Sequence, residues 1–279
     1  MMRIASLQPS ITLTLEALGR LELLCAHTKY CVEAMPALAE RGLPVLQDSW
    51  SFDKPGNIEA LLAAKPDVVV ASVPYRMESL AAILKAGLAV VTFAPKSVAE
   101  IYGDIRILAA LTGAVAQGEG VVAGMQGAMD ACRAQVAGIS AEERPVVYCE
   151  EWGKPLIRSQ RWVAELVEAA GGRFLGAPGG QTTAEEIATE DPNVLVFAWC
   201  GAGDRVPLER VIAQRGWENL RAVRSGRVFV IPDQYLNTPA PTLMKGLACI
   251  AGVCRPEIFP QPAEVRGVSV YTPLIAMKL

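Results

Sequence analysis

The sequence predicts an α/β protein of two similar lobes, each with a parallel sheet flanked by helices, joined by one long backbone helix. Short apolar strands alternate with helices along the chain, which is typical of parallel sheets. A long segment with helical periodicity lies midway, and short αβ units that resemble each other lie on both sides of it. Ligands of such sheets sit beyond the carboxyl ends of the strands. We therefore expect a ligand cleft between the lobes.

The central segment defines the predicted domains. Its apolar residues recur close to a helical period, at Val121, Val122, Met125, Met129, Cys132 and Val136. Each of its four glycines costs about 1 kcal/mol relative to alanine in a helix, so packing must hold this helix. The alternative is an ordinary crossover helix within one continuous sheet. The predicted parts are an N-terminal αβ lobe (1–113), a linking helix (114–138), a C-terminal αβ lobe (139–254) and an irregular tail (255–279).

Apolar runs and capping residues place the elements of the N-terminal lobe. The predicted strands are 3–7, 23–26, 68–72 and 89–95, and the predicted helices are 10–19, 58–65, 77–87 and 98–113. Ser10, Asn57 and Ser97 are the expected N-caps, and Gly19 is the expected C-cap. The segment from His27 to Cys31 begins a predicted loop.

The C-terminal lobe repeats the pattern. The predicted strands are 145–151, 193–199 and 227–233, and the predicted helices are 161–172, 185–189, 208–216 and 243–253. Thr183 and Glu186 form an expected capping box, and 152–160 is an expected loop. Segments 62–72 and 187–199 share a helix end, a proline turn and a β-branched run, which indicates weak internal duplication.

Composition excludes several classes of function. The chain has 279 residues, a net charge of -3 and a pI near 5.4, so neither nucleic acid nor an anionic membrane is expected as a partner. No segment is apolar enough to span a bilayer. With one histidine and no nucleophile or phosphate-binding motif, an enzyme is not expected. Seven cysteines without a disulfide spacing favour a cytoplasmic chain, as does the lack of an export signal; a chain trimmed of its signal would be periplasmic.

Aromatic residues are few, yet they gather at or near the predicted strand ends. Their faces and polar edges suit a flat, amphipathic ligand. Trp199 fits either this role or a place in the core or a hinge. The residues are Tyr30, Trp50, Tyr75, Trp152, Trp199 and Tyr235.

Two further groups carry alternative interpretations. Cys25, His27 and Cys31 can ligate a soft metal or the metal of a macrocycle, or can be core and loop residues; one histidine makes an independent metal site unexpected. Glu59 and Glu185 lie in the first turns of matching helices, where they can compensate the helix dipole or meet a partner.

Several segments together resemble a known family. RIASLQPSITLTLEALG, IEALLAAKPDVVVAS, GWENLRAVRSGRVFVI and DQYLNTPAPTLMKGL are similar to segments of cobalamin-binding proteins of ABC importers. The broader group comprises receptors for ferric siderophores, haem and corrinoids, built as two lobes on one rigid helix. The resemblance covers about residues 3–252 and is closest to members without an export signal.

The resemblance implies a non-catalytic, monomeric receptor for cobalamin or a related corrinoid, delivered to an ABC permease or handled inside the cell. The implied permease contacts are Glu59 and Glu185, and the implied ligand-facing residues are Tyr30, Trp50, Tyr75, Trp152 and Tyr235. Apart from the resemblance, the residues themselves make His27 a ligand-binding candidate, and either His27 or Cys31 a candidate axial ligand. A ferric siderophore bound by Arg76, Arg158, Arg161 or Arg205, or haem, is the alternative ligand. An enzyme using His27, Cys31 or Glu151 on a metal-macrocycle cofactor is a further alternative.

Overall fold

The chain forms two compact units, and the computed structural model describes residues 1–47 and 50–268. The first unit comprises residues 1–125 and the short segment 238–241. The second comprises residues 126–237 and 242–268. The predicted fold class, α/β with parallel sheets and a long helix, is confirmed.

The first unit is built on a parallel sheet. Its order within the described residues is β3-β2-β1-β4-β5. The strands are β1 Ile4–Ser6, β2 Leu24–Thr28, β3 Val45–Leu46, β4 Val68–Ser72 and β5 Val90–Phe93. The helices are α1 Pro9–Ala17, α2 Lys29–Ala34, α3 Asn57–Ala63, α4 Met77–Lys85 and α5 Val98–Leu111, with 3₁₀ turns at Leu21–Leu23 and Pro36–Arg41. Strands β1 and β4 lie at the centre and are buried throughout, as expected of apolar runs in a parallel sheet.

Helix ends in the first unit follow local chemistry, with two departures from prediction. The Ser97 hydroxyl accepts from the Glu100 N–H, and Gly19 has φ +64° after the end of α1, as predicted. Ser10, however, lies inside α1 because Pro9 occupies its first turn, and the capping position falls to Gln8. Asn57 likewise begins α3 after Gly56 and donates its side-chain amide to Ser51 O (2.6 Å).

The long central helix is α6, Val115–Gln135. Its buried residues include Val122, Met125, Met129 and Cys132, which match the predicted apolar stripe. Gly118 lies against Ala109, where a larger side chain would collide. The division between the units falls within α6, after Met125. These buried contacts stabilise the helix, which its glycines would otherwise make unfavourable.

The second unit has a mixed sheet rather than the purely parallel one predicted. Its order within the described residues is β12-β11-β10-β6-β7-β9, with β8 also paired to β6. The strands are β6 Val146–Gly153, β7 Leu156–Arg158, β8 Arg173–Phe174, β9 Gln181–Thr182, β10 Val194–Phe197, β11 Val228–Val230 and β12 Arg266–Val268. The helices are α7 Arg161–Ala169, α8 Ala184–Glu190, α9 Leu208–Arg215, α10 Arg221–Arg224, α11 Asp233–Leu236 and α12 Leu243–Cys254. The central strands β6, β10 and β11 are parallel, and antiparallel strands extend the sheet on both sides.

Two segments predicted to be irregular are strands. The predicted loop 152–160 contains the end of β6 and all of β7, which pair as an antiparallel hairpin. The predicted irregular tail 255–279 contains β12, which pairs with β11 and is fastened where Arg266 donates to Asp204 O (2.7 Å) and Val206 O (2.5 Å). The remainder of that tail, 269–279, lies outside the described residues. Among the described helices, none is both long and apolar enough to cross a bilayer.

Candidate functional site

The carboxyl edge of the first unit, where its parallel strands end, is tied together by uncharged groups. The Gln8 side chain, just after β1, donates to Pro74 O (2.8 Å) and accepts from the Ser72 N–H at the end of β4 (3.1 Å). The loops after two neighbouring strands are therefore held to one another. Beneath them the Thr12 hydroxyl donates to Ser6 Oγ (2.9 Å), both buried.

Aromatic rings lie at this edge. Tyr30 lies in the first turn of α2, two positions after the end of β2, and its ring meets Trp50 edge-to-face, with centroids 6.1 Å apart. The Lys29 ammonium lies 4.8 Å from the Tyr30 ring centroid, and Arg76 donates to Trp50 O (3.3 Å). Tyr75 packs partly against the core of the unit. The structure thus brings Tyr30 and Trp50 into contact and leaves both rings half-buried.

His27 and Cys31 lie inside the first unit instead of facing a ligand. His27 is 1% exposed in β2, with Nδ1 3.0 Å from Thr28 O and Nε2 without a partner. Cys31 is fully buried, its sulfur 3.4 Å from Thr28 Oγ1. The predicted ligand-binding and axial-ligand roles are not supported, because β2 continues through Thr28 where a loop was expected. Among the described residues, no group of three or more His, Cys, Asp or Glu is placed to hold a metal ion.

The carboxyl edge of the second unit is built over a buried ion pair. Glu150, in β6, is fully buried and receives two hydrogen bonds of 2.8 Å from the Arg215 guanidinium at the end of α9. It also accepts from the Tyr148 hydroxyl (2.5 Å) and from the Trp199 indole N–H (2.8 Å). Burial, followed by the Glu150 charge, raises the pKa of Tyr148 well above its usual value, so Tyr148 stays a donor. The Glu150 carboxylate therefore accepts four hydrogen bonds, two from Arg215 and one each from Tyr148 and Trp199.

Trp199 packs tightly at the end of β10. A Cβ atom on Gly153 would lie 2.6 Å from Cζ2 of the indole, so only glycine leaves room for the ring. Phe197 meets the indole edge-to-face at 6.3 Å, and the Arg215 guanidinium carbon lies 5.9 Å from its centroid. The ring is half-buried and held from several sides.

Trp152 lies on the hairpin between β6 and β7 and is 45% exposed. Its indole N–H donates to Lys154 O (2.8 Å), which fixes the ring on the hairpin. Trp199 and Tyr235 are less exposed, so Trp152 is the most accessible of these three aromatic rings at this edge.

The loop after Trp199 completes the second edge. Asp233 accepts from the N–H groups of Gly201 (2.8 Å) and Gly203 (2.9 Å), which have φ of +76° and +58°. Cys200, in this loop, is exposed, and its sulfur accepts a hydrogen bond from the Asn237 side-chain amide (3.3 Å). Tyr235 lies in α11, where a loop was predicted, with the Lys245 ammonium 5.6 Å from its ring centroid.

The two glutamates predicted to contact a permease lie on the surface, in the first turns of helices. Glu59 in α3 and Glu185 in α8 are exposed in first helical turns, and the docking role stays a prediction. The capping box of Thr183 and Glu186 is confirmed.

The four arginines suggested for an anionic ligand all contact their own unit. Arg76 pairs with Asp53 and Glu78, Arg158 donates to Gln181 O and Thr182, Arg161 pairs with Glu165, and Arg205 donates to Gly201 O and Ala202 O.

A separate cavity of about 280 Å³ lies in the second unit, beside the residues that precede β6. Arg133, Arg144 and Glu168 line it, together with Glu165 and the small residues Val136, Ala137 and Ala169. It contains no aromatic ring and mixes both charge signs. The aromatic residues follow the opposite, carboxyl end of β6, so this cavity does not belong to the candidate site.

Sequence reasoning did not find the Glu150–Arg215 pair. The available signal was the acid within the strand segment VVYCEE, since a carboxylate between buried apolar residues requires a partner. Arg215 lies 65 positions later, and nothing local connects the two residues.

Comparisons with known proteins place these features in context. The profile described as "Periplasmic binding protein" matches residues 4–235. The chain is 23% identical over 257 residues to a cobalamin-binding protein of Halobacterium salinarum, covering 89% of this chain and 68% of that one. It is 24% identical over 213 residues to an uncharacterized ABC transporter substrate-binding lipoprotein of Bacillus subtilis, covering 73% and 66%. The chain thus spans about two thirds of the length of these relatives. A periplasmic heme binding protein of Pseudomonas aeruginosa has the same fold, with a TM-score of 0.83, 21% identity, and coverage of 97% and 99%.

Proposed function

Because the chain belongs to the periplasmic binding protein family, whose members bind solutes rather than catalyse, we propose that it is a receptor for a corrinoid such as cobalamin or cobinamide. The receptor serves ABC-type uptake or the handling of corrinoid inside the cell. The similarity to a cobalamin-binding protein and to an ABC transporter substrate-binding lipoprotein supports both parts.

The observation that carries the proposal is the set of accessible rings at the carboxyl edges of the sheets. Tyr30 and Trp50 form a half-buried pair in the first unit, and Trp152 is 45% exposed in the second. Flat conjugated faces supply apolar contact area and tolerate the polar periphery of an amphipathic ligand. A corrin ring, with its amide side chains, has this character.

The charges favour a corrinoid over a ferric siderophore. Anionic chelates are best held by bidentate arginine. Arg158 and Arg205 donate to groups of their own unit, while Arg76 and Arg161 have carboxylate partners. A ligand whose periphery is largely amide does not need to displace these contacts.

The burial of His27 favours a metal that is already coordinated. Haem in proteins takes an axial ligand such as His, Cys, Met or Tyr. The one histidine of the chain is 1% exposed, and Cys31 is fully buried. Cobalamin carries its own lower base. Haem stays the second candidate, since Tyr30, Tyr75 or Tyr235 offers a phenolic oxygen and the fold is shared with a heme binding protein.

The direct test is titration of the purified chain with cyanocobalamin, dicyanocobinamide and haemin. Binding of a corrinoid will change its visible spectrum and raise the melting temperature as the ligand concentration exceeds Kd. Haemin binding alone would transfer the proposal to haem. No spectral or thermal shift with any of the three would refute a receptor for metal macrocycles.

The ring contact is tested by Trp152→Ala. We expect corrinoid affinity to fall about tenfold or less, consistent with about 0.5–1.5 kcal/mol for one aromatic contact. The matched control is Leu84→Ala in α4, a 59% exposed apolar residue away from the strand ends, which should leave affinity unchanged. Equal losses in both variants would argue against a specific ring contact.

The permease contact is tested in cells that depend on this chain for corrinoid uptake. Glu59→Lys combined with Glu185→Lys should lower uptake while the purified variant still binds corrinoid, because both carboxylates are exposed. Glu16→Lys combined with Glu209→Lys, two exposed residues that also lie one in each unit, is the charge-matched control. Undiminished uptake in the double variant would remove the docking role.

A further inference from the structure

The Glu150–Arg215 pair needs an explanation beyond stability. Glu150 is fully buried and the Arg215 side chain is only 11% exposed. Replacing a buried ion pair by apolar residues of similar volume is often neutral or stabilising, so such a pair is weak evidence for stability. Its position under the carboxyl edge of the second sheet points to a role in that edge.

The pair is joined to one edge residue in particular. Glu150 uses Oε1 for both the Arg215 guanidinium and the Trp199 indole N–H, each at 2.8 Å. The guanidinium also lies 5.9 Å from the Trp199 ring centroid. Gly153 leaves space for the same indole. Trp199 is therefore held both by a hydrogen bond to a charged group and by close packing.

Trp199 also lies where a ligand can meet it. It follows the last residue of β10 by two positions and is half-buried. Trp152 lies on the neighbouring strand β6, which pairs in parallel with β10. The two indoles thus belong to adjacent strand ends of one unit.

We propose that Trp199 is a ligand-contacting ring whose orientation is set by the buried Glu150–Arg215 pair, so that Glu150 and Arg215 act as positioning residues for a flat macrocyclic ligand. This inference rests on the proposed function. A ring held by two fixed partners loses little conformational freedom when the ligand binds, and this preorganisation raises affinity.

The first experiment tests the positioning without any ligand. The variant with both Glu150→Met and Arg215→Met removes the charges and keeps apolar volume, so the loss of the ion pair itself should cost little stability. The Tyr148 hydroxyl and the Trp199 N–H lose their acceptor, so the melting temperature should fall by several degrees while the variant stays folded. Acrylamide quenching assigned to Trp199, by difference from the matching Trp199→Phe proteins, should increase in this variant. Unchanged quenching would show that the pair does not hold the indole and would overturn the inference.

The second experiment measures the coupling through cyanocobalamin or dicyanocobinamide affinity. We expect Trp199→Ala and the double Met variant each to weaken binding about tenfold, and the triple variant to bind no more weakly than Trp199→Ala alone. Trp199→Leu, which fills apolar volume without a ring, serves if Trp199→Ala folds poorly. Additive losses, or full affinity in the Trp199 variants, would overturn this inference and leave the proposed function intact. A wild-type chain that binds neither corrinoid nor haemin would overturn the proposed function itself.

Discussion

The carboxyl edges of the two units are constructed in different ways from the same α/β elements. In the first unit, Gln8 and the hydroxyls of Ser6 and Thr12 join the strand ends through neutral hydrogen bonds. In the second, Glu150 and Arg215 place a charge pair beneath the edge. A neutral network can lose one member at modest cost, whereas a buried charge that loses its partner is left uncompensated. We therefore expect the second edge to tolerate substitution less well.

The largest expected effect comes from breaking the charged pair. Arg215→Ala should reduce the free energy of unfolding of the second unit by about 3–5 kcal/mol, because Glu150 would stay buried without its cation. Thr12→Val in the first unit should cost only about 1–3 kcal/mol. Native-state hydrogen exchange at increasing urea concentration measures each unit through its own core amides; tryptophan fluorescence would not serve, because four of the five tryptophans lie in the second unit. An equal or smaller loss for Arg215→Ala would contradict the comparison.

A smaller effect is expected at the packing contact of the second edge. Gly153→Ala should cost about 1–3 kcal/mol, since the new Cβ would lie 2.6 Å from the Trp199 ring and force it to shift. The control is Gly127→Ala in α6, where an added Cβ meets nothing within 4 Å; this change should stabilise by up to about 1 kcal/mol. Thermal unfolding of both variants checks the sign. A neutral Gly153→Ala would show that the indole is not tightly held.

Each unit contains a carboxyl group whose pKa is raised in the folded state, Asp104 in the first and Glu151 in the second. Burial, with the nearby Glu100 charge, raises the pKa of Asp104 in α5 from 3.8 to about 7. The folded state holds this proton more tightly than the unfolded state, so its contribution to stability is largest below pH 4 and is lost as the pH rises toward 7. Asp104→Asn should remove this contribution to the pH dependence, making the melting temperature fall less between pH 5 and 8.

Glu151 at the second edge offers the counterpart, because burial raises its pKa while the hydrogen bond from Gln160 opposes that shift. Glu151→Gln should change the pH dependence with the same sign. Melting curves at several pH values measure both variants. A steeper fall for either variant than for the wild type would mean that folding does not raise the pKa of that carboxyl group.

The smallest effect is expected at the exposed ion pair of the first edge. Arg76 and Asp53 approach to 3.7 Å with 47% and 31% of their side chains exposed, and solvent screens such pairs. Arg76→Ala should therefore change unfolding free energy by about 0.5 kcal/mol or less. A loss comparable to that of Arg215→Ala would mean that burial does not distinguish the two ion pairs.

Local sequence signals predicted most of the fold. The apolar run 68–72 is β4 as predicted, and the caps at Ser97 and Thr183 are present because each depends on residues three positions apart. The end of β2 was misplaced because His27 pairs with Val45 of β3, a contact that no local pattern reveals. The hairpin of β6 and β7 was missed for the same reason, since β7 also pairs with distant β9.

The candidate site was less predictable than the fold. Parallel topology predicts that residues after the strands lie at one edge of each sheet, and Tyr30, Trp50 and Trp152 lie there; their contact with a ligand stays a prediction. The tertiary contacts of these residues could not be predicted from local sequence. His27 is buried within the sheet, and Glu150 contacts Arg215 only in the folded chain. Whether a buried charge has an oppositely charged partner depends on distances in the folded chain, and the spacing of residues in the sequence does not give those distances.

The segment Thr238–Pro241 packs with the first unit although it lies far along the chain, which affects how the first unit can be expressed alone. Pro239 lines a small cavity together with Ser10, Ser72 and Asp104, so this tetrapeptide covers part of the interior of a unit whose other residues end at Met125. A truncated polypeptide comprising residues 1–125 would lack that cover and is expected to expose apolar surface and aggregate. Supplying the complementary fragment 126–279 in trans should restore a soluble, assembled product, because it carries the missing four residues.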